Sequence, residues 1–288
     1  MRFSSRLVSA SALVLAPITY VHAQEAGKSL ALDFRNTIAM SGMPDTSVLT
    51  GHAVGNADKM RLDVKMKMPG SGAAVGMLAS QGEVSMIVTD SGKTITYLDS
   101  KNNQYIKVRP TEMIAQAQQM GGMKMDFSGT EAKVDNLGAG PTILGHPTSH
   151  YRVATGMTMK ISAMGQEQTV KISSTTDTYY ATDLKADLNP FASLNGADMA
   201  NVFGTSNKEF ADKMKAAQAQ LPKGTPLRAS SSSSLTSQGQ TRVTNSQAEV
   251  TAIQWVPFDA KTFEVPAAFT AAPLPTMPGA RSEAIPPK

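Results

Sequence analysis

Methionine is the residue type whose chemistry stands out, because the 288-residue chain holds 18 methionines and no cysteine. Thioether sulfur is a soft ligand that suits Cu(I), and Met120, Met123 and Met125 have a spacing compatible with such a site. Methionine is also a flexible apolar side chain that packs against varied partners. Because most of the methionines follow strand alternation, we interpret them as lining a core or a cavity, with copper binding as the alternative.

The histidines give little support for a metal site or for catalysis. His146 and His150 are four residues apart, but Pro147 and the strand predicted after it argue against a helix. On an extended chain four residues span about 13 Å, which is too far for one ion. The chain has no nucleophile elbow, paired-histidine zinc motif or phosphate-binding loop. We therefore expect a protein that is not an enzyme, with no catalytic residue, no metal and no cofactor.

Composition places the chain among globular proteins, since 41% of its residues are hydrophobic and 17% are charged. A formal net charge of +4 and an aromatic content of 6% are too low to indicate nucleic-acid binding.

The N-terminus has the layout of an export signal. Arg2 and Arg6 precede an apolar stretch over residues 7–21, and Val21-His22-Ala23 is a small-x-small cleavage site. We expect a signal peptide over residues 1–23, cleavage near Ala23-Gln24, and a mature protein in the periplasm or outside the cell. Later windows are too short for a membrane-spanning helix, so we expect no transmembrane anchor in the mature chain.

Hydrophobic residues then recur with period 2, which predicts strands with one apolar and one polar face. Residues 59–68 are the clearest case, since every even position is apolar. The serine run at residues 230–234 is placed in an exposed strand, because a turn follows it. The further predicted strands cover residues 83–89, 93–98, 104–108, 132–137, 150–163, 169–182, 227–236, 241–256 and 263–265.

Helical patterns interrupt the strands at residues 111–120, 190–203 and 206–220. About ten strands in one sheet must curl or close. The predicted fold class is therefore mainly β (α+β), a strongly curved antiparallel sheet or incomplete β-barrel with helical lid segments. We expect one such domain over residues 24–269, and a disordered Pro-rich tail over residues 270–288 that forms no sheet.

The order of short motifs adds a resemblance to a known family. The motifs are Lys-Met-Arg-Leu-Asp-Val at 59–64, Thr-Tyr-Leu-Asp at 96–99, residues 103–108, residues 143–153 and Phe-Glu-Val-Pro at 263–266. Over about residues 30–268 the chain resembles uncharacterised exported bacterial proteins related to the periplasmic lipoprotein-carrier (LolA/LolB-like) superfamily. The resemblance implies an incomplete antiparallel barrel, closed by helices, around an apolar cavity for acyl chains.

The function expected from these observations is that of an exported binding protein that holds a lipid, an acyl chain or another apolar molecule in a half-barrel cavity. Envelope proteins are further candidate partners. A periplasmic Cu(I)-binding protein and an envelope scaffold without ligand are the alternatives. The predicted ligand-binding residues are the alternating apolar positions Leu62, Val64, Met66, Val84, Met86, Val88, Tyr97, Met157, Met159 and Ile161.

Overall fold

The fold is built mainly from long antiparallel strands. The computed structural model describes residues 27–43, 45–56, 58–67, 83–109, 124–163, 166–186, 188–191 and 208–273. The helical elements of this part of the chain are α1 (Lys208–Gln218) and a 3₁₀ helix (Ala260–Phe263). Its strands are β1 (Lys28–Met40), β2 (Ser47–Gly55), β3 (Met60–Lys67), β4 (Glu83–Thr89), β5 (Thr94–Asp99), β6 (Gln104–Val108), β7 (Lys124–Ala139), β8 (Thr148–Ala163), β9 (Gln166–Ala181), β10 (Thr225–Ser237), β11 (Gln240–Pro257) and β12 (Thr270–Ala271).

These strands form one open sheet in the order β12-β6-β5-β4-β3-β2-β1-β11-β10-β9-β8-β7. β12 runs parallel to β6, and the other neighbours are antiparallel. β1 pairs with β11 in the middle of the sheet, so the start and the end of the fold are joined there. The mainly β fold class and the curved, open sheet are confirmed.

The helical predictions have mixed outcomes. α1 confirms the helix predicted at residues 206–220. The helix predicted at residues 111–120 lies outside the described residues. Of the helix predicted at residues 190–203, Pro190 and Phe191 form a turn, and the rest lies outside the described residues. The described residues do not show whether these segments form a lid, so that part of the fold stays a prediction. No helix in the described ranges is long and apolar enough to cross a membrane.

The predicted strands that begin at residues 59, 83, 93, 104, 150, 169, 227 and 241 are confirmed, including the serine run within β10. β7 begins earlier than predicted, because a bulge between Ser128 and Glu131 breaks its alternation without ending the pairing with β8. β1 and β2 were not predicted, although β1 alternates well except at Asn36.

Two predictions near the C-terminus need correction. The strand predicted at residues 263–265 is wrong, because a 3₁₀ helix ends at Phe263 and the next two residues belong to no strand. The Asp259 side chain accepts a hydrogen bond from the amide of Lys261 at 3.0 Å, which starts the helical turn, and Phe263 is buried at its end. The segment predicted to form no sheet contributes Thr270 and Ala271, which pair with β6.

The inner face of the sheet carries the main hydrophobic core. Alternating side chains of β1, Leu30, Leu32 and Phe34, meet apolar side chains from β2, β3, β4, β5, β10 and β11. Complete burial of a leucine side chain contributes about 2 kcal/mol, so this row is a major source of stability.

The outer face is polar over most of its width and is covered at one end. Ile87 and Leu98 pack there against Phe263. Phe258 stacks on Phe263 with ring centroids 5.8 Å apart. The chain that follows β11 thus folds back over β4 and β5, which fixes that end of the sheet.

Candidate functional site

Six of the predicted ligand-binding residues lie together in the inner-face core. Leu62, Val64, Met86 and Val88 are buried members of this cluster, and Val84 and Tyr97 are half-buried and pack against it. The side chain of Met66 lies outside the described part. β3, β4 and β5 therefore present one continuous apolar surface, as the alternation predicted.

The other three predicted residues lie far from this group. Met157, Met159 and Ile161 share the inner face of β8, opposite Ile172, Val170 and Gln168 of β9. The route from β3 to β8 takes six steps in the strand order, which is roughly 29 Å along the sheet. The predicted ligand-binding residues are thus divided between two distant parts of one curved face.

A non-helical segment covers the apolar part of the inner face. We call residues 184–191 the strap, of which all but residue 187 are described. Leu188 and Phe191 are 1% and 3% exposed and belong to the same core as Leu62. The ring of Phe191 meets Phe34 edge-on, with centroids 6.0 Å apart. Side chains of the strap therefore occupy the surface on which a ligand was expected.

Among the residues that the structure describes, few hydrogen bonds of regular structure hold the strap. The amide of Leu184 donates to the carbonyl of Ala181 at 3.3 Å, and the Thr225 hydroxyl donates to the carbonyl of Leu184 at 3.2 Å. The amide of Phe191 donates to the side chain of Asn189 at 3.1 Å, within the strap itself. Apolar burial thus holds the strap to the sheet more than a strand-like ladder does.

A histidine and an aspartate form a pair at the start of the strap. His146 Nδ1 lies 2.7 Å from Asp183 Oδ2, and the two side chains are 25% and 19% exposed. His146 is held by a short bridge with Ile143, in which both amides donate to the opposite carbonyls at 2.9 Å. The other carboxylate oxygen, Asp183 Oδ1, is buried and has no hydrogen-bond partner within the described ranges. His146 therefore fixes the residue that immediately precedes the strap.

Beyond the apolar core the inner face becomes rich in hydroxyl groups. We call the half-buried side chains Thr155, Ser174, Thr176, Ser231, Ser233, Thr244 and Ser246 the hydroxyl floor. Ser174 lies 2.9 Å from the hydroxyl of Ser233, and Thr176 donates to Ser231 at 3.1 Å. Among the described side chains of β8, β9 and β10, none on this face is charged. The inner face thus passes from apolar to neutral polar along the sheet.

A network of ion pairs crosses the outer face at the same strands. Arg152 donates two hydrogen bonds of 3.0 Å to Asp177, and His150 Nε2 lies 2.9 Å from it. Burial alone would raise the pKa of Asp177, but the hydrogen bonds from Arg152 and His150 outweigh it and hold the pKa below its usual range. The ring of Tyr179 stacks on His150 at 4.4 Å. The contacts of His150 are therefore those of a residue that stabilises the fold.

An open polar pocket of about 320 Å³ lies on the outer face, where the 3₁₀ helix meets β2 and β3. His52 lines it and lies 2.7 Å from Asp33, and Arg61 lies 3.1 Å from Asp63. Asp259 also lines the pocket, and its side chain accepts a hydrogen bond from the amide of Lys261. The other ionisable side chains are paired with a neighbour, so the pocket offers only weak recognition of a charged ligand.

The residues of the copper alternative lie largely outside the described part. Met120 and Met123 fall in residues 110–123, and nothing is described of the Met125 side chain in β7. The described residues contain no group of three His, Cys, Asp or Glu side chains that could hold a metal ion.

The residue pattern did not predict that the strap, Asn36 or Asp183 would belong to the site. No periodicity relates the apolar residues of the strap to the sheet, so the pattern predicts a helix from residue 190 and no regular element before it. Asn36 could have been noticed, since it is the polar member of an otherwise apolar row in β1.

Comparison with known proteins gives a structural match of low similarity. No family model and no curated protein matches the chain. A crystal structure of a domain described as an outer membrane lipoprotein-sorting protein, from Vibrio parahaemolyticus, aligns with 83% of this chain and 90% of its own length. The TM-score is 0.28 and the sequence identity is 7%. At these values the expected relationship to the lipoprotein-carrier superfamily stays a prediction.

Proposed function

We propose that this protein is an exported, non-enzymatic binding protein that holds an apolar chain, such as the acyl chain of a lipid, against the inner face of its sheet. The observation that carries the proposal is the strap. A large apolar surface on an open sheet is covered by a non-helical segment that apolar side chains hold in place. A ligand with similar apolar surface could replace those side chains without disturbing the sheet.

The size of the ligand follows from the apolar contacts that it would replace. Burial of Leu184, Leu188 and Phe191 contributes roughly 5–9 kcal/mol, and an alkyl chain gains about 0.8 kcal/mol for each buried CH₂ group. About six to eleven methylene groups would therefore match the strap. We expect long alkyl chains to bind and short ones to be excluded.

Ligand binding is tested most directly by weakening the strap. If the ligand competes with the strap, Phe191→Ala raises the fraction of molecules open to ligand and tightens the apparent affinity. We expect the variant to bind an apolar dye, and a long-chain fatty acid that displaces it, about tenfold more tightly than the wild type. Phe258→Ala is the matched control, because it removes a phenylalanine from the outer face.

The binding measurements give one result that supports the proposal and one that contradicts it. Binding by the wild type that tightens in Phe191→Ala and not in Phe258→Ala supports the proposal. If neither the wild type nor Phe191→Ala binds dye or fatty acid, the proposal is wrong.

The proposed location rests on residues 1–23, which have the features of a signal peptide. Expression of the complete chain in a bacterium, followed by fractionation and mass spectrometry, tests it. We expect a periplasmic protein whose N-terminus is at or near Gln24. A cytoplasmic product that retains Met1 would contradict the proposal.

A further inference from the structure

The most unusual polar residue of the described chain is Asn36. It is 0% exposed, and neither Oδ1 nor Nδ2 has a hydrogen-bond partner among the residues that the structure describes. Buried polar side chains nearly always have such a partner in folded proteins. Asn36 therefore has an unused donor and an unused acceptor inside the apolar core.

The position of Asn36 relates it to the proposed ligand site. It follows Phe34 on the inner face of β1, and Phe34 contacts Phe191 of the strap. Its cross-strand partners Leu49 and Ala248 belong to the core that the strap covers. A ligand that takes the place of the strap would therefore bind beside Asn36.

Asn36 also marks the boundary between the two parts of the inner face. Apolar residues precede it along β1, whereas Ile38, two residues further, pairs with Ser246 of the hydroxyl floor. Ala248 beside it and Ala229 on the next strand have short side chains, which leaves the amide without a bulky neighbour on that side. An amphiphile that lies along this face would place its first polar group at Asn36.

The chemistry of the side chain specifies that polar group. A carboxamide presents one acceptor and an N–H donor side by side, and another amide can pair with both. A carboxylate has no donor, and it would be an unpaired charge in an apolar core. We infer that Asn36 is the polar recognition residue of the inner-face site and that the ligand is a long alkyl chain carrying an amide group, an inference that rests on the proposed function.

Two matched probes test the inference without any change to the protein. A long-chain primary amide can donate and accept, whereas its N,N-dimethyl analogue has the same chain but can only accept. We expect the primary amide to displace an apolar dye from the wild type about tenfold more effectively than the dimethyl analogue. In Asn36→Leu we expect the two probes to bind with equal affinity. Asn245→Leu, on an exposed position of β11, is the control that retains the preference.

The thermal stability of Asn36→Leu without ligand provides a second readout. Removal of an unpaired buried amide should raise the midpoint of unfolding. A lower midpoint would mean that the amide is already satisfied, for example by an internal water molecule, and would overturn the inference.

The experiment also distinguishes the inference from the proposed function. If the wild type binds both probes equally, the inference is wrong and the proposed function stands. If the dye binds but neither probe displaces it, the inference is wrong. The comparison of the two probes uses only the wild type, so it separates these outcomes without any variant. If neither the dye nor the fatty acid binds the wild type or Phe191→Ala, the proposed function itself fails.

Discussion

Phe191 stands edge-on against Phe34, with ring centroids 6.0 Å apart and ring planes at 84°. This contact joins the strap to the central strand of the sheet, because Phe34 belongs to β1. Edge-to-face aromatic pairs contribute about 0.5–1.5 kcal/mol beyond the burial of their area.

Truncation of the Phe191 side chain should lower the stability of the fold. We expect Phe191→Ala to lower the free energy of unfolding by about 3 kcal/mol, because a buried ring is lost and the strap refills the space only in part. Denaturant unfolding measures the change. Phe258→Ala, which removes a ring that is 46% exposed, should cost distinctly less. Equal losses in the two variants would contradict the assigned role of Phe191.

Gly51 is required for Phe34 to occupy its place. A Cβ atom at position 51 would lie 2.7 Å from Cε1 of Phe34, which is too close for any real contact. Because Phe34 is packed against the strap, its ring cannot move away freely. We expect Gly51→Ala to lower the free energy of unfolding by about 1–3 kcal/mol, measured by denaturant titration.

Gly156 provides the matched control for that substitution. It lies within β8, and the nearest atom to a Cβ there is 3.9 Å away. Gly156→Ala should be neutral or slightly stabilising, by less than about 1 kcal/mol. A large loss at position 156 would mean that the sheet rejects any alanine in place of glycine.

His146 should matter for the strap through Asp183. In His146→Ala the carboxylate keeps no partner among the described residues, because its other oxygen is already without one. We expect a loss of about 1–3 kcal/mol in the free energy of unfolding. In the double variant His146→Ala/Asp183→Ala the losses should not add, since the unpaired group is gone. Additive losses in a double-mutant cycle would show that the pair is not coupled.

The stability contributed by Asp177 should depend on pH. Its pKa is lower in the folded protein than the ordinary value of 3.8, so the ionised form is favoured by folding. This contribution is present above the ordinary pKa and is lost as the pH falls through the folded-state pKa. Asp177→Asn should therefore have a lower melting temperature than the wild type at about pH 7, and the difference should shrink towards about pH 3.

The control for this pH dependence is Asp45→Asn, at an exposed position between β1 and β2. We expect its melting temperature to follow that of the wild type over the same range. The melting temperature of Asp177→Asn could instead differ from that of the wild type by the same amount at every pH. The shape of the Asp177 side chain, and not its charge, would then account for its contribution to stability.

Much of the fold could be predicted because alternation is a local signal. In β3, Met60, Leu62 and Val64 are buried at the positions that their spacing indicates. The same rule correctly assigned β4, β5 and β6. It failed at residues 263–265, where a side-chain cap at Asp259 and burial of Phe263 on the outer face outweighed strand propensity.

The mainly β architecture and the apolar rows of the inner face could be predicted from the chain alone, since they depend only on residue type and period. The tertiary structure decided the pairing of β1 with β11, the separation of Met157 from Leu62, the strap over Phe34 and the burial of Asn36. Each of these depends on which segments, far apart in the chain, come to lie side by side, and no local period encodes that choice.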